Sequence, residues 1–170
     1  MPNRDFLIEQ LSAEHSKAQT MLLVRWIGQD AGRLAALLEI FLDNDHRLTQ
    51  RSAWVVRYVG EPAPGLLAPW FTQMMTMLRR TEVHAAVQRN VLNVFEAIDV
   101  PKTVQDELAD RCFQYLADPQ AALRASAITI LDKICQQVPE LRPELRLLLE
   151  KHLEHGPASF QSRAREVLKR

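Results

Sequence analysis

Glycine is scarce in this chain, with five in 170 residues, and no Gly-x-Gly occurs. The first shortage argues against an all-β architecture, whose tight turns draw on glycine for positive φ. The second excludes the glycine-rich loops that cradle phosphates. Cysteine is limited to Cys112 and Cys135, with no Cys-x-x-Cys. Two are too few for a disulfide framework, and each lies in an apolar helical pattern that makes it a small buried hydrophobe. No apolar run approaches the roughly eighteen residues that span a bilayer. The opening Met-Pro-Asn-Arg-Asp leads into a segment with acids and no signal-peptide core. The expectation is a cytoplasmic chain with no membrane partner.

Net charge is also missing: 21 Lys and Arg face 21 Asp and Glu. The balance holds along the chain, at three against four in residues 1–30, seven against seven in 31–100 and eleven against ten in 101–170. A dedicated nucleic-acid binder carries a basic surplus, so nucleic acid is disfavoured, although a basic stripe offset by an acidic outer face would fit the same totals. The five histidines are scattered. His152-x-x-His155 sets two imidazoles on one helical face, but zinc takes three or four ligands and no third is near in sequence. Neither a metal nor a cofactor is expected.

What the chain has is helix. Ala, Leu, Arg, Glu and Gln dominate, and all favour helices. Apolar residues recur at helical spacing in Leu34, Leu37, Leu38, Phe41 and again in Leu123, Ala127, Ile130, Leu131, Ile134. Asp30, Asp45 and Thr81 read as N-caps, Thr103-x-x-Asp106 as a variant capping box, and Asp118-Pro119 as a cap with proline in the first turn. Breakers at Gly60-Glu61-Pro62-Ala63-Pro64-Gly65, Asp99-Val100-Pro101, Val138-Pro139 and Gly156-Pro157 separate the helices. The pattern predicts helices over about 5–11, 14–27, 31–42, 46–59, 65–79, 82–98, 103–117, 119–137, 140–154 and 158–169, and no strand.

The helices repeat in pairs. Gln50, Gln88, Arg124 and Gln161 align at spacings of 38, 36 and 37, followed at matching offsets by Ala53 and Val56, Val91 and Val94, Ala127 and Ile130, Ala164 and Val167. Val24-Arg25-Trp26-Ile27-Gly28 returns as Val56-Arg57-Tyr58-Val59-Gly60 at an offset of 32. A period near 37 with two helices per repeat is the mark of an α-solenoid, because one helix pair cannot bury both its apolar faces. The expected fold is therefore all-α, a short superhelix of about four helix pairs plus an N-terminal helical fragment, forming a single domain over residues 1–170.

Asp118-Pro119-Gln120-Ala121-Ala122-Leu123-Arg124 resembles a HEAT-repeat turn and second helix, and Asp45 and Arg51 keep the same Asp-to-Arg interval. That resemblance implies Asp–Arg pairing between repeats. The chain as a whole resembles a bacterial family of small HEAT-like repeat proteins of unknown function. The resemblance rests on Glu14-His15-Ser16-Lys17, Thr49-Gln50-Arg51, Trp54, His84 to Asn90, Ile98-Asp99-Val100-Pro101, Cys112 to Leu116, Pro139-Glu140-Leu141 and Phe160-Gln161-Ser162-Arg163. Some similar chains carry an adenylosuccinate lyase label. That enzyme class is much longer and uses a Ser-rich, Met-containing loop with no counterpart here.

In such solenoids the second helices line a concave face. The non-core side of those helices would present Arg51, Ser52, Arg89, Asn90, Asn93, Ser126, Lys133 and Arg163, with Thr129 and Glu166 beside them, and Trp54 at the groove edge. Arg, Asn, Ser and Lys side chains donate hydrogen bonds to carboxylates or peptide carbonyls, and the same groups also brace neighbouring repeats. Trp26 and Trp70 sit in apolar runs and are expected in the core. The reading is a non-catalytic protein- or peptide-binding scaffold, monomeric or weakly dimeric. The alternative is a HEAT-like DNA-glycosylase-type enzyme with Trp54, Arg51, Arg89 and Lys133 in the groove and Asp132 or Glu96 as its acid.

Overall fold

The computed structural model describes residues 2–43 and 45–170. Among them are ten α-helices and no strand: α1 (Pro2–Ala13), α2 (Lys17–Ile27), α3 (Ala31–Phe41), α4 (His46–Gly60), α5 (Phe71–Arg79), α6 (Ala85–Ala97), α7 (Lys102–Tyr115), α8 (Ala121–Gln137), α9 (Arg142–His152) and α10 (Ala158–Leu168). Two 3-10 segments, Pro64–Trp70 and Pro139–Leu141, precede α5 and α9. None of the helices is long and apolar enough to cross a membrane.

The caps explain most of the boundaries. Asp30 accepts from the Arg33 amide, Asp45 from the Arg47 and Leu48 amides, and Ser16 from the Gln19 amide, each satisfying orphan donors of a first turn. Four expected starts differ. His84, not Thr81, caps α6, with Nδ1 accepting from the Ala86 amide. Burial of Val83 and the Arg80–Glu82 ion pair hold residues 80–83 as a bend, so the helix begins later. Pro101 occupies the N-cap of α7, which places Thr103 inside the helix and removes the capping box. Asp118 accepts from the Gln120 amide at 2.8 Å and so shapes the turn before α8. The helix expected over 65–79 is α-helical only from Phe71, because Pro69 has no N–H to donate and its ring clashes with an α-helical turn.

The helices gather into two compact units, Met1–Ile98 and Asp99–Arg170. In the first, α3 packs with α4 and α5 with α6, while α4 and α6 lie side by side. The N-terminal fragment is itself a helix pair, with α1 laid on α3 and α2 on α4. In the second unit α7 packs with α8, α9 with α10, and α8 with α10. The repeat register holds at every inward position: Ala53, Val56, Val91, Val94, Ala127, Ile130, Ala164 and Val167 are all buried. Cys112 and Cys135 are buried as well. Gly60 ends α4 against the Leu67 side chain, which a Cβ there would push aside. Trp26 and Trp70 are half-buried instead of sitting in the core. Trp26 is sandwiched, with the Phe6 ring centroid at 4.7 Å and the Arg33 guanidinium 4.5 Å from its own ring.

Candidate interaction surfaces

The second helices are α2, α4 and α6 in the first unit and α8 and α10 in the second. Of the residues expected on their open side, Ser52, Asn90 and Ser126 are buried. Ser52 Oγ donates to the Thr49 carbonyl at 3.1 Å, and buried Asn90 Nδ2 has no hydrogen-bond partner among the described residues. The aligned spacings 38, 36 and 37 put Ser52, Asn90, Ser126 and Arg163 at one repeat position. That position faces inward in the first three repeats, and short side chains fit there.

The arginines differ in what they hold. Arg51 Nη1 donates to the carbonyls of Leu11 (2.6 Å) and Ser12 (3.0 Å) at the C-terminal end of α1. Carbonyls in a last turn have no partner within their own helix, so this is a C-terminal cap supplied from α4. Arg163 Nη1 donates to the Ala125 carbonyl (2.8 Å) and to Thr129 Oγ1 (2.7 Å), tying α10 to α8. Arg124 lies over the Phe160 ring at 4.3 Å. The Asp–Arg pairing that the resemblance implied is thus replaced. Asp45 caps α4, Asp118 shapes a turn, and Arg51 and Arg124 reach carbonyls and a ring. Arg89 and Asn93 are half-buried on α6. Trp54 is 45% exposed, with the His15 ring centroid 4.9 Å away.

A hollow of about 390 Å³ opens in the second unit between α8 and α10. It brings together four of the expected polar residues, Thr129, Lys133, Arg163 and Glu166, with Asp99, Gln136 and Arg170 at its edges. Asp132, 7% exposed, lines its floor. Its Oδ1 accepts from Arg142 Nη1 at 2.6 Å and its Oδ2 from Arg170 Nη1 at 2.5 Å. Sequence reasoning missed this clamp, because Arg142 and Arg170 lie 10 and 38 residues from Asp132. The one available signal was an acid inside an apolar helical run, which demands a partner. The lining carries three cations, Lys133, Arg163 and Arg170, against three acids, Asp99, Asp132 and Glu166.

In the first unit a cleft of about 340 Å³ lies at the C-terminal ends of α2 and α4, lined by Val24, Gly28, Gln29, Tyr58, Val59, Pro62, Ala63 and Leu66. It is mostly apolar. His46 and His84, at the starts of α4 and α6, stack with ring centroids 4.7 Å apart. Among the described residues no three His, Cys, Asp or Glu side chains converge as metal ligands would. Burial, followed by the nearby Arg124 and Lys151 charges, pushes the His152 imidazole below its usual range. Burial also pushes the Cys135 thiol up.

A family model for the HEAT repeat domain matches residues 7–170, across both compact units. No curated protein and no solved structure matches the chain.

Proposed function

Since the chain belongs to the HEAT repeat domain family, we propose that it is a non-catalytic scaffold that holds a protein or peptide partner on the open side of its second helices. The observation that carries this reading is the exposure of two large apolar side chains there, Leu22 at 46% on α2 and Trp54 at 45% on α4. Folding gains nothing from leaving an indole and a leucine in water on helices that bury their other faces, whereas Trp is over-represented among the residues that dominate protein interfaces. The hollow between α8 and α10 adds hydrogen-bonding groups of both signs, suited to peptide backbone and side chains. Against an enzymatic reading stands the state of Asp132. Each of its oxygens already accepts from a guanidinium group, which commits the carboxylate the glycosylase reading would use to a structural clamp.

The experiment places a photo-crosslinking amino acid at position 54, at position 133, or at position 144 on α9, and activates it in cells. Capture of a defined protein from 54 or 133 but not from 144, followed by formation of a stoichiometric complex from purified components, is the expected result. Capture from none of the second-helix positions, or of nucleic acid alone, overturns the scaffold reading.

A further inference from the structure

Zero net charge conceals a segregation within the unit Met1–Ile98. The second helices α2, α4 and α6 carry six Lys or Arg, two, three and one respectively, against the single acid Glu96. The first helices α1, α3 and α5 carry three Arg against three acids. The remaining acids lie in the turns. There Asp30 and Asp45 serve as caps, Asp43 pairs with Arg4 and Glu82 with Arg80, while Glu14 and Glu61 flank α2 and α4 in solvent.

The packing decides which side chains reach solvent. α4 is enclosed by α3, α2 and α6, and the stripe it leaves open is Gln50, Trp54 and Arg57. These positions are four and three residues apart and therefore share one helical face. α2 leaves open Ala18, Leu22 and Arg25, the same stripe at the offset of 32. Each helix thus shows a large exposed apolar side chain followed one turn later by an exposed arginine. Packed helices lie about 8–10 Å apart, so the two motifs form one surface. Arg25 and Arg57 are not among the paired arginines of this unit. Neither has a side-chain hydrogen bond or ion pair with any described residue. Their place in the last turn suits the helix dipole, yet both heads stay in solvent and keep their donors free. The apolar cleft begins beside them, at Val24 and Tyr58.

We infer that this surface docks an acidic peptide segment bearing apolar side chains, with Arg25 and Arg57 on its carboxylates, Leu22 and Trp54 under its apolar groups, and one such group in the cleft. This deepens the scaffold reading and rests on it. Complementary charge argues for acid in the partner. The choice of peptide over nucleic acid follows from the apolar elements. A strand of bases would call for a succession of open flat rings to stack on, whereas here the Trp54 indole already has the His15 ring against it, Leu22 holds the matching place on α2, and Tyr58 shares the cleft with Val59, Ala63 and Leu66.

The test is fluorescence anisotropy with the full chain and four probes: a short labelled peptide alternating Asp or Glu with Leu or Phe, its counterpart with Lys in place of the acids, single-stranded oligo-dT, and vesicles of mixed neutral and anionic phospholipid. The acidic peptide alone should bind, more weakly as salt is raised. Arg25→Gln with Arg57→Gln should weaken it by about three- to tenfold, the range that two exposed ion pairs supply. Trp54→Gln should weaken it independently; the double arginine variant should keep the parent's melting temperature, and Trp54→Gln, which also loses its contact with His15, should remain folded at the assay temperature. Preference for oligo-dT or vesicles overturns the inference, as does peptide binding indifferent to these substitutions. If crosslinks from position 133 capture a protein while the acidic peptide fails to bind, this inference falls and the scaffold reading stands.

Discussion

Asp132 accepts from two guanidinium groups at once. A carboxylate carried into a helix bundle loses its hydration, and only the two guanidinium groups offset that loss. Arg142 is three-quarters buried while Arg170 is mostly in solvent, so most of the stabilisation belongs to the Arg142 pair. Asp132→Ala should destabilise the protein by about 2–3 kcal/mol in urea unfolding, since it leaves Arg142 partly buried and unpaired. A cost below about 0.5 kcal/mol would mean that the clamp is ornamental. Tyr115 gives a second residue-level test. Burial pushes its phenol up from 10 to about 12. A raised folded value means that the folded state keeps a proton which the unfolded chain releases earlier. Tyr115 therefore contributes stability that is complete below pH 10 and is lost as pH rises toward about 12. Tyr115→Phe should flatten the fall of stability across that window, read by unfolding at a series of pH values, and an unchanged slope would contradict the assignment.

At the scale of the helix, the arginines divide into braces and free groups. Arg51 supplies donors to the last turn of α1, and Arg163 supplies them to α8. Arg89 has no side-chain partner among the described residues. Arg51→Gln should cost about 1–2 kcal/mol in urea unfolding through the loss of charge-assisted bonds to α1, whereas Arg89→Gln should stay within about 0.5 kcal/mol of the parent. Equal effects would show that the α1 carbonyls do not depend on Arg51. By residue type the three arginines read alike, but Arg163 stands one place further on in the repeat than Arg51 and Arg89, at the buried position of Ser52, Asn90 and Ser126. The difference of one residue turns a helix side chain by about 100°, enough to move it from an open face into a seam.

At the scale of the whole molecule, the pair α1 and α2 shields the helices it lies on. α1 and α2 cover α3 and α4, whose Leu34, Leu37, Leu38, Val55 and Val56 are buried. Deletion of residues 1–28 should lower the melting temperature by at least about 10 °C or send the protein into aggregates, as several kcal/mol of lost burial implies. A truncated chain that melts like the parent would show that α1 and α2 are dispensable additions.

Much of this was legible before folding, because helices and their inward register depend on neighbours three and four residues away. The period near 37, the ten helices, the caps at Asp30 and Asp45, and the buried alanine and valine positions all follow from that local chemistry. The open face is different, since it is whatever the neighbouring helices leave uncovered. Ser52, Asn90 and Ser126 read as surface groups by residue type, but they are small enough to enter the buried seams. Leu22 reads as core by type, yet the helices around it leave the stripe it shares with Trp54 in water. The partners of Asp132 and of Arg51 come from 10 to 40 residues away, a distance that no periodicity encodes. The segregated charge of residues 1–98 likewise emerges only once the helices are sorted into layers, because totals along a chain average over faces that folding sets apart.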